Sequence, residues 1–220
     1  MKKKTWLALV SAAFLAGAFV ASAADPIVLT FEGLKNLEPI DSYYAGGLGG
    51  LGSGPGPNYG ITFGSDSLAI ISELVSGGTG NFQNNPSGVT VAFFLSGPGD
   101  VMNMPSGFNT GFSFYYSAVV YPGNVTVWSG LNGTGTELAN LYLPTTPELP
   151  GLPTAYNDWI PTGVSFAGTA QSAIFSGTAN YIAFDNITLG SPTPVPDGGV
   201  TALLLGSAAF GLAWLRRKVR

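Results

Sequence analysis

The 220-residue chain has only 9% charged side chains against 45% hydrophobic ones, with 32 glycines, 16 prolines and a formal net charge of −4. This composition is typical of an all-β protein with many turns rather than of a helical enzyme. Cysteine and histidine are both absent. Their absence excludes disulfide bonds, thiolate or imidazole metal ligands, and catalysis by a cysteine nucleophile or a Ser-His-Asp triad.

The basic residues lie at the two ends of the chain, with Lys35 alone between them. Between Ala24 and Val195 this lysine stands against eleven carboxylates, so the interior of the chain carries a net charge of −10. Nucleic-acid binding depends on clustered Lys and Arg side chains that neutralise phosphates. Nucleic acid is therefore not an expected partner.

Residues 1–23 predict a secretory signal peptide. Three lysines precede an apolar run at positions 6–20, and the small-residue site Ala21-Ser22-Ala23 follows. This order of charge, apolar run and small residues is typical of a signal that is cleaved, here after Ala23. A retained membrane anchor is the alternative, for which the apolar run is short.

Residues 24–190 are predicted to form one domain, long enough to bury a substantial core. The glycine-rich residues 46–57 lie too near its start to separate two domains, so we interpret them as a long surface loop. Short runs of β-branched and aromatic residues recur between Gly, Pro and Asn residues and predict strands. The ten predicted strands are residues 27–31, 61–63, 67–73, 89–95, 111–118, 125–129, 137–143, 162–166, 173–176 and 181–188.

These strands, with no soluble helix predicted, indicate an all-β, two-sheet sandwich. In Phe112-Ser113-Phe114-Tyr115 and Val125-Thr126-Val127-Trp128, alternate side chains face one buried side of a sheet. Asn132-Gly133 lies between two predicted strands and predicts a hairpin.

Four segments of this domain resemble the ectodomains that commonly precede bacterial surface-sorting tails. They are residues 30–34 (TFEGL), 58–63 (NYGITF), 129–135 (SGLNGTG) and 184–190 (FDNITLG). Those ectodomains are similar to jelly-roll modules of the carbohydrate-binding kind. The resemblance implies a jelly-roll fold and leaves the activity open.

Glu32 and Asp185 form a candidate calcium site. The first and last strands of jelly rolls often pair, and here Glu32 directly follows the first predicted strand while Asp185 lies inside the last one. Two carboxylates beside backbone carbonyls suit a hard cation, which would relieve their repulsion. The alternative is that Asp185 bonds to backbone groups while Glu32 faces solvent. The resemblance to carbohydrate-binding jelly rolls also implies a structural calcium ion near the chain ends.

Four aromatic residues are candidates for carbohydrate binding because they lie in predicted loops, where ligand contacts concentrate. Flat aromatic rings match the apolar faces of pyranose sugars, and Tyr and Trp also offer polar partners. The four residues are Tyr43, Tyr44, Tyr156 and Trp159. Paired carboxylates are the only hydrolytic machinery that the composition permits. The eleven carboxylates offer many pairs, but the sequence shows none that flanks a cleft, so no catalytic residue and no enzyme activity are predicted.

The C-terminal residues predict a linker, a membrane-spanning segment and a basic tail. Residues 191–199 contain prolines and the motif Val195-Pro196-Asp197-Gly198-Gly199, residues 200–215 are uncharged, and residues 216–220 carry four cations. The uncharged run predicts one transmembrane helix whose basic end stays in the cytoplasm. A buried core helix is the alternative, but this run has no polar face.

This tail resembles the PEP-CTERM sorting signals, in particular their Val-Pro-Asp-Ser-Gly variant, with Gly198 in place of the serine. The resemblance implies processing by an exosortase-like membrane enzyme and export. We therefore expect a non-enzymatic protein that passes through the inner membrane, with its domain facing away from the cytoplasm, and ends at the cell surface or in the extracellular biofilm matrix. A carbohydrate-binding module of the exopolysaccharide matrix and a carboxylate-dependent glycoside hydrolase are the alternatives.

Overall fold

The structure, a computed structural model, describes residues 25–97 and 99–195. The predicted signal peptide, the sorting motif beyond Val195, the predicted span and the basic tail lie outside these residues. Within them, twelve strands and one short 3-10 turn are formed. The strands are β1 (Ile27–Leu29), β2 (Glu38–Pro39), β3 (Thr62–Phe63), β4 (Ser67–Ile71), β5 (Thr90–Phe94), β6 (Gly99–Phe108), β7 (Gly111–Ser117), β8 (Gly123–Trp128), β9 (Glu137–Leu143), β10 (Ile160–Ser165), β11 (Ala170–Ser176) and β12 (Ala183–Leu189).

The strands form two antiparallel sheets. The larger sheet has the order β10-β7-β12-β5-β4-β2, with β1 paired to β12, and the smaller sheet has the order β3-β6-β11-β8-β9. In the last eight strands, β5 pairs with β12, β6 with β11, β7 with β10, and β8 with β9. This is the connectivity of one long hairpin rolled into two layers, which is a jelly roll. The prediction of an all-β, two-sheet, jelly-roll sandwich is confirmed.

The core lies between the two sheets and is rich in phenylalanine. Phe112, Phe114 and Tyr116 alternate along β7 and are fully buried, whereas Tyr115 faces the outer side. Phe175 of β11 and Phe184 of β12 meet across the layers with ring centroids 4.8 Å apart. Full burial of such a side chain contributes about 1.5–3 kcal/mol, so these rings contribute strongly to holding the sheets together.

The structure differs from the predicted strands at β6 and β2, neither of which was predicted. Gly99, Pro105 and Gly107 interrupt the β6 pattern, and such residues usually mark loops. The strand accommodates Pro105 and Gly107 because its register with β11 shifts between Ala170 and Ser172, whereas Gly99 pairs regularly with Ser176. Pro105 lies in the irregular part of the ladder, where a missing N–H group disrupts no regular pairing.

Asn132 and Gly133 connect β8 to β9, as predicted. Both residues have positive φ angles, of 54° and 68°, which Asn and Gly adopt more readily than other residues. The two strands pair antiparallel from Gly123 with Leu143 to Trp128 with Glu137. The Asn-Gly signal therefore marks the hairpin correctly.

Two long connections cover part of the outer face of the larger sheet. Residues 72–89 join β4 to β5, and residues 144–159 join β9 to β10. Together with the sheet they bury a second apolar cluster, separate from the main core, of Phe82, Val91, Phe93, Trp159 and Ala183. This outer cluster positions the candidate site.

No helix among residues 25–97 and 99–195 is both long enough and apolar enough to span a membrane.

Candidate functional site

A cleft of about 400 Å³ opens beside the outer cluster. Its lining includes Ile70, Phe93 and Ala183 from β4, β5 and β12, together with Phe82 and Tyr156 from the two long connections. Its other lining residues are Thr79, Gly80, Asn81, Val120, Ala155, Asn180, Tyr181 and Ile182. The volume lies at the small end of the range of about 300–1,000 Å³ that is usual for ligand pockets.

The two long connections are joined by hydrogen bonds along the cleft. The Gln83 amide donates to the Tyr156 carbonyl at 3.1 Å, and the Tyr156 amide donates to the Asn81 carbonyl at 3.2 Å. The Ala155 amide also donates to Asn81 Oδ1 at 3.0 Å. Trp159 Nε1 donates to the Gln83 carbonyl at 3.0 Å. Because both connections are fixed to each other, this wall is preformed before a ligand arrives.

Asn157 fixes the shape of the second connection from within. Its Nδ2 donates to the carbonyls of Leu149 and Thr154 at 3.2 and 2.6 Å, and its Oδ1 accepts from the Leu149 amide at 2.7 Å. Asn84 Nδ2 of the first connection donates to the Asn157 carbonyl at 3.2 Å. These bonds satisfy several backbone groups of a long loop without secondary structure and fix its conformation around Asn157.

Two of the four aromatic residues that line the cleft are tyrosines, which add hydroxyl groups to their rings. Tyr156 is half-buried. Its burial is the main cause, and the nearby Tyr181 a smaller one, of a pKa raised to about 12. The Tyr156 phenol is neutral at pH 7, as an ordinary tyrosine is, and can both donate and accept hydrogen bonds. Tyr181 is 38% exposed and packs edge-on against Tyr121, which is 45% exposed, with ring centroids 5.0 Å apart.

The chemistry of the lining is apolar, aromatic and neutral polar. Thr79, Asn81 and Asn180 add hydroxyl and amide groups to the phenols. A ring that stacks on the apolar face of a sugar, surrounded by groups that bond its hydroxyls, is a suitable arrangement for a pyranose. None of the lining residues is Asp or Glu, whereas a glycosidase of the usual kind needs two carboxylates flanking the bond that it cleaves.

The structure brings only one of the four predicted sugar-binding aromatics to this cleft. Tyr156 lines it, but Tyr43, Tyr44 and Trp159 are only 8%, 3% and 8% exposed. The Tyr43 hydroxyl donates to the Glu32 carbonyl at 3.0 Å, and the Phe31 amide donates to the Tyr44 hydroxyl at 2.6 Å. Tyr43 and Tyr44 belong to the main core and Trp159 to the outer cluster. The expectation that these three rings are open to ligand is therefore corrected.

The predicted site residues do not include Tyr181 and its neighbours. The predicted last strand starts at Tyr181, but β12 begins at Ala183. Asn180 has a φ of 66°, and the Tyr181 amide donates to the Thr178 carbonyl at 3.0 Å. A polar turn that ends in Asn directly before an aromatic residue was the signal that could have revealed this rim.

The predicted pairing of the first and last strands is present: Leu29 of β1 lies opposite Ile187 of β12. Asp185 is fully buried, and its carboxylate accepts four hydrogen bonds. The donors are the Ser87 amide at 3.0 Å, Ser87 Oγ at 2.8 Å, Asn85 Nδ2 at 3.2 Å and the Asn186 amide at 2.7 Å. Asp185 thus fixes the last residues of the first connection onto β12.

Glu32 holds the same segment from the other side. Its Oε1 accepts from the amides of Val89 and Thr90 at 2.9 and 2.7 Å. We call the two carboxylates and residues 85–90 the carboxylate clasp. Burial raises the pKa of Asp185 to about 7, against the opposing effect of its hydrogen bonds.

The carboxylate clasp contains the two carboxylates of the predicted calcium site, and both already accept hydrogen bonds. Both side-chain amide atoms of Asn186 are buried and unpaired, so an oxygen suited to a cation lies next to Asp185. The four donors already occupy the acceptor positions of Asp185, and a calcium ion would have to displace Ser87 or Asn85. The residues described contain no cluster of three or more carboxylates. Calcium binding stays a prediction.

No protein-family model matches the sequence, and no curated protein matches it. Several solved structures are similar to part of the chain. The K3 cleaved adhesin domain of Lys-gingipain from Porphyromonas gingivalis is 13% identical, with a TM-score of 0.37, covering 58% of this chain and 93% of that one. A carbohydrate-binding module of Cellvibrio mixtus lichenase 5A, solved with cellotriose, is 16% identical, with a TM-score of 0.32, covering 58% and 88%. The C-terminal CBM6 of the laminarinase LamC from Zobellia galactanivorans is 21% identical, with a TM-score of 0.30, covering 57% and 99%.

Proposed function

We propose that residues 24–190 are a non-catalytic carbohydrate-binding domain and that the cleft beside the outer cluster is its binding site. The observation that carries this proposal is the preformed cleft with Tyr156 and Tyr181 on its walls and neutral hydroxyl and amide groups around them. Such a cleft offers a ring for stacking and partners for sugar hydroxyls. The lack of Asp and Glu in the lining supports binding rather than hydrolysis.

The sequence supports a further proposal about where this binding occurs. A signal peptide at residues 1–23 would export the domain, and the PEP-CTERM-like residues 195–220 would hold it at the inner membrane until an exosortase-like enzyme processes it. The domain would then reach the cell surface or the polysaccharide matrix. A polysaccharide ligand fits that location.

A glycan array probed with the full chain, purified in a detergent that contains no sugar, tests the binding proposal. Specific retention on a set of oligosaccharides, without release of reducing sugar, is the expected result. Release of reducing sugar would instead identify a glycoside hydrolase. If a folded protein binds no glycan on the array, carbohydrate binding is contradicted and a purely structural role in the matrix is favoured.

A further inference from the structure

The side chains that line the cleft carry no formal charge. Its polar groups are the hydroxyls of Thr79, Tyr156 and Tyr181 and the amides of Asn81 and Asn180. Burial raises the pKa of Tyr156 to about 12, so its phenol stays neutral at physiological pH. A ligand in this cleft therefore meets dipoles and aromatic faces, without a cation or an anion among the lining residues.

The remainder of the described domain repels negative charge. Its one cation is Lys35, against eleven carboxylates between residues 25 and 195. Lys35 Nζ donates to the Leu51 carbonyl at 2.6 Å on the glycine-rich loop, and Lys35 is not among the lining residues of the cleft. A carboxylate or sulfate on a glycan would find no cationic partner in the cleft, and the strongly negative formal charge of the domain would oppose its approach.

From these two observations we infer that the cleft selects neutral glycans and rejects those built from uronic acids or bearing sulfate groups. This inference rests on the proposed carbohydrate-binding function. Neutral hydroxyls can replace their bonds to water with bonds to the amides and phenols of the lining. A carboxylate that enters the cleft loses water without gaining an opposite charge, which is unfavourable.

Matched pairs of oligosaccharides test this inference by titration calorimetry on the full chain. The probes are cellohexaose, laminarihexaose, maltohexaose and mannohexaose, each with its counterpart oxidised at C6 to the uronic acid. We expect at least one neutral probe to bind and its oxidised counterpart to bind at least tenfold more weakly at physiological ionic strength, where salt weakens pairing of the oxidised probe with the cations at the chain ends. Equal or tighter binding of the oxidised probe would overturn the inference and leave carbohydrate binding intact. Failure of every neutral and oxidised probe to bind would contradict the proposed function, and the inference with it.

A charge placed at the rim provides a second test. Val120 lines the cleft and is exposed, so Val120→Lys adds a cation at the site with little effect on packing. Leu95 is similarly exposed but does not line the cleft, and Leu95→Lys is the matched control. We expect Val120→Lys to lower the ratio of affinities for the neutral and the oxidised probe severalfold. We expect Leu95→Lys to leave this ratio unchanged. An unchanged preference in Val120→Lys would show that the charge in the cleft does not set ligand choice.

Discussion

Glu38 holds the glycine-rich loop, and its replacement tests how that loop is stabilised. Its carboxylate is fully buried and accepts from the amides of Lys35, Leu51 and Ser53 at 2.6, 2.8 and 2.9 Å, and also from the Ser53 hydroxyl. Burial alone would raise its pKa, but the four hydrogen bonds together outweigh burial and lower the pKa of Glu38 below its usual value.

Glu38→Gln keeps the shape of the side chain but turns one acceptor oxygen into a donor. Each carboxylate oxygen accepts two hydrogen bonds, so the substitution removes two of them, and a hydrogen bond to a charged group contributes about 1.5–3 kcal/mol. The Ser53 hydroxyl can turn and accept instead, which recovers part of the loss. We expect the free energy of unfolding to fall by about 2–4 kcal/mol. For a domain of this size the melting temperature then falls by roughly 4–16 °C.

Thermal melts from pH 7 to pH 3 provide the assay. A lowered pKa in the folded state stabilises the protein above the unfolded-state pKa of about 4.3, and this stabilisation is lost as the pH falls through the folded-state value. The difference in melting temperature between wild type and Glu38→Gln should therefore be largest near pH 7 and become smaller below pH 4. Glu148→Gln, at an exposed carboxylate, is the control and should show no difference. Equal melting temperatures at pH 7, or a difference that does not change with pH, would refute this account of Glu38.

Three further predictions concern the metal and the chain ends. If calcium binds at the carboxylate clasp, an ion at a hundredfold excess over its dissociation constant contributes about 2.7 kcal/mol. Chelator should then lower the melting temperature by several degrees in the wild type and not in Asp185→Asn; identical wild-type curves with calcium and with chelator would reject the site. Protease added outside spheroplasts should degrade the domain and spare a tag placed after Arg220, whereas a protected domain would contradict the predicted orientation. Mass spectrometry of surface material should find a C-terminus between residues 196 and 199, and recovery of only full-length membrane protein would mean that residues 200–220 are a plain anchor.

The jelly roll could be predicted because its strands obey simple alternation. Alternate residues of a strand share one face, which places Phe112, Phe114 and Tyr116 together. A turn between two strands is predicted by Asn132-Gly133. The β6 strand escaped prediction for the opposite reason. Pro105 and Gly107 interrupt its pattern, and only the irregular pairing with β11 shows how a strand tolerates them.

The candidate site could be predicted only in part, because loop residues carry no periodic signal. Tyr44 and Tyr156 look alike in sequence, since both lie in predicted loops. One is buried against the main core and the other lines the cleft. The difference arises from tertiary packing, in which residues 72–89 and 144–159 bond to each other over the outer face of the larger sheet. Contacts between segments so distant in sequence cannot be derived from composition or spacing.

Calorimetric titration tests carbohydrate binding at the cleft most directly. The ligand is a neutral oligosaccharide that binds the full chain on the array. The proteins compared are the wild type, Tyr181→Ala and Tyr142→Ala. Tyr181 lines the cleft, whereas Tyr142 lies on β9 of the smaller sheet and is 69% exposed. Loss of a stacking ring should weaken binding about tenfold, equivalent to about 1.4 kcal/mol. We predict that weakening for Tyr181→Ala and unchanged affinity for Tyr142→Ala. Unchanged affinity in Tyr181→Ala, or equal losses in both variants, would contradict binding at this cleft.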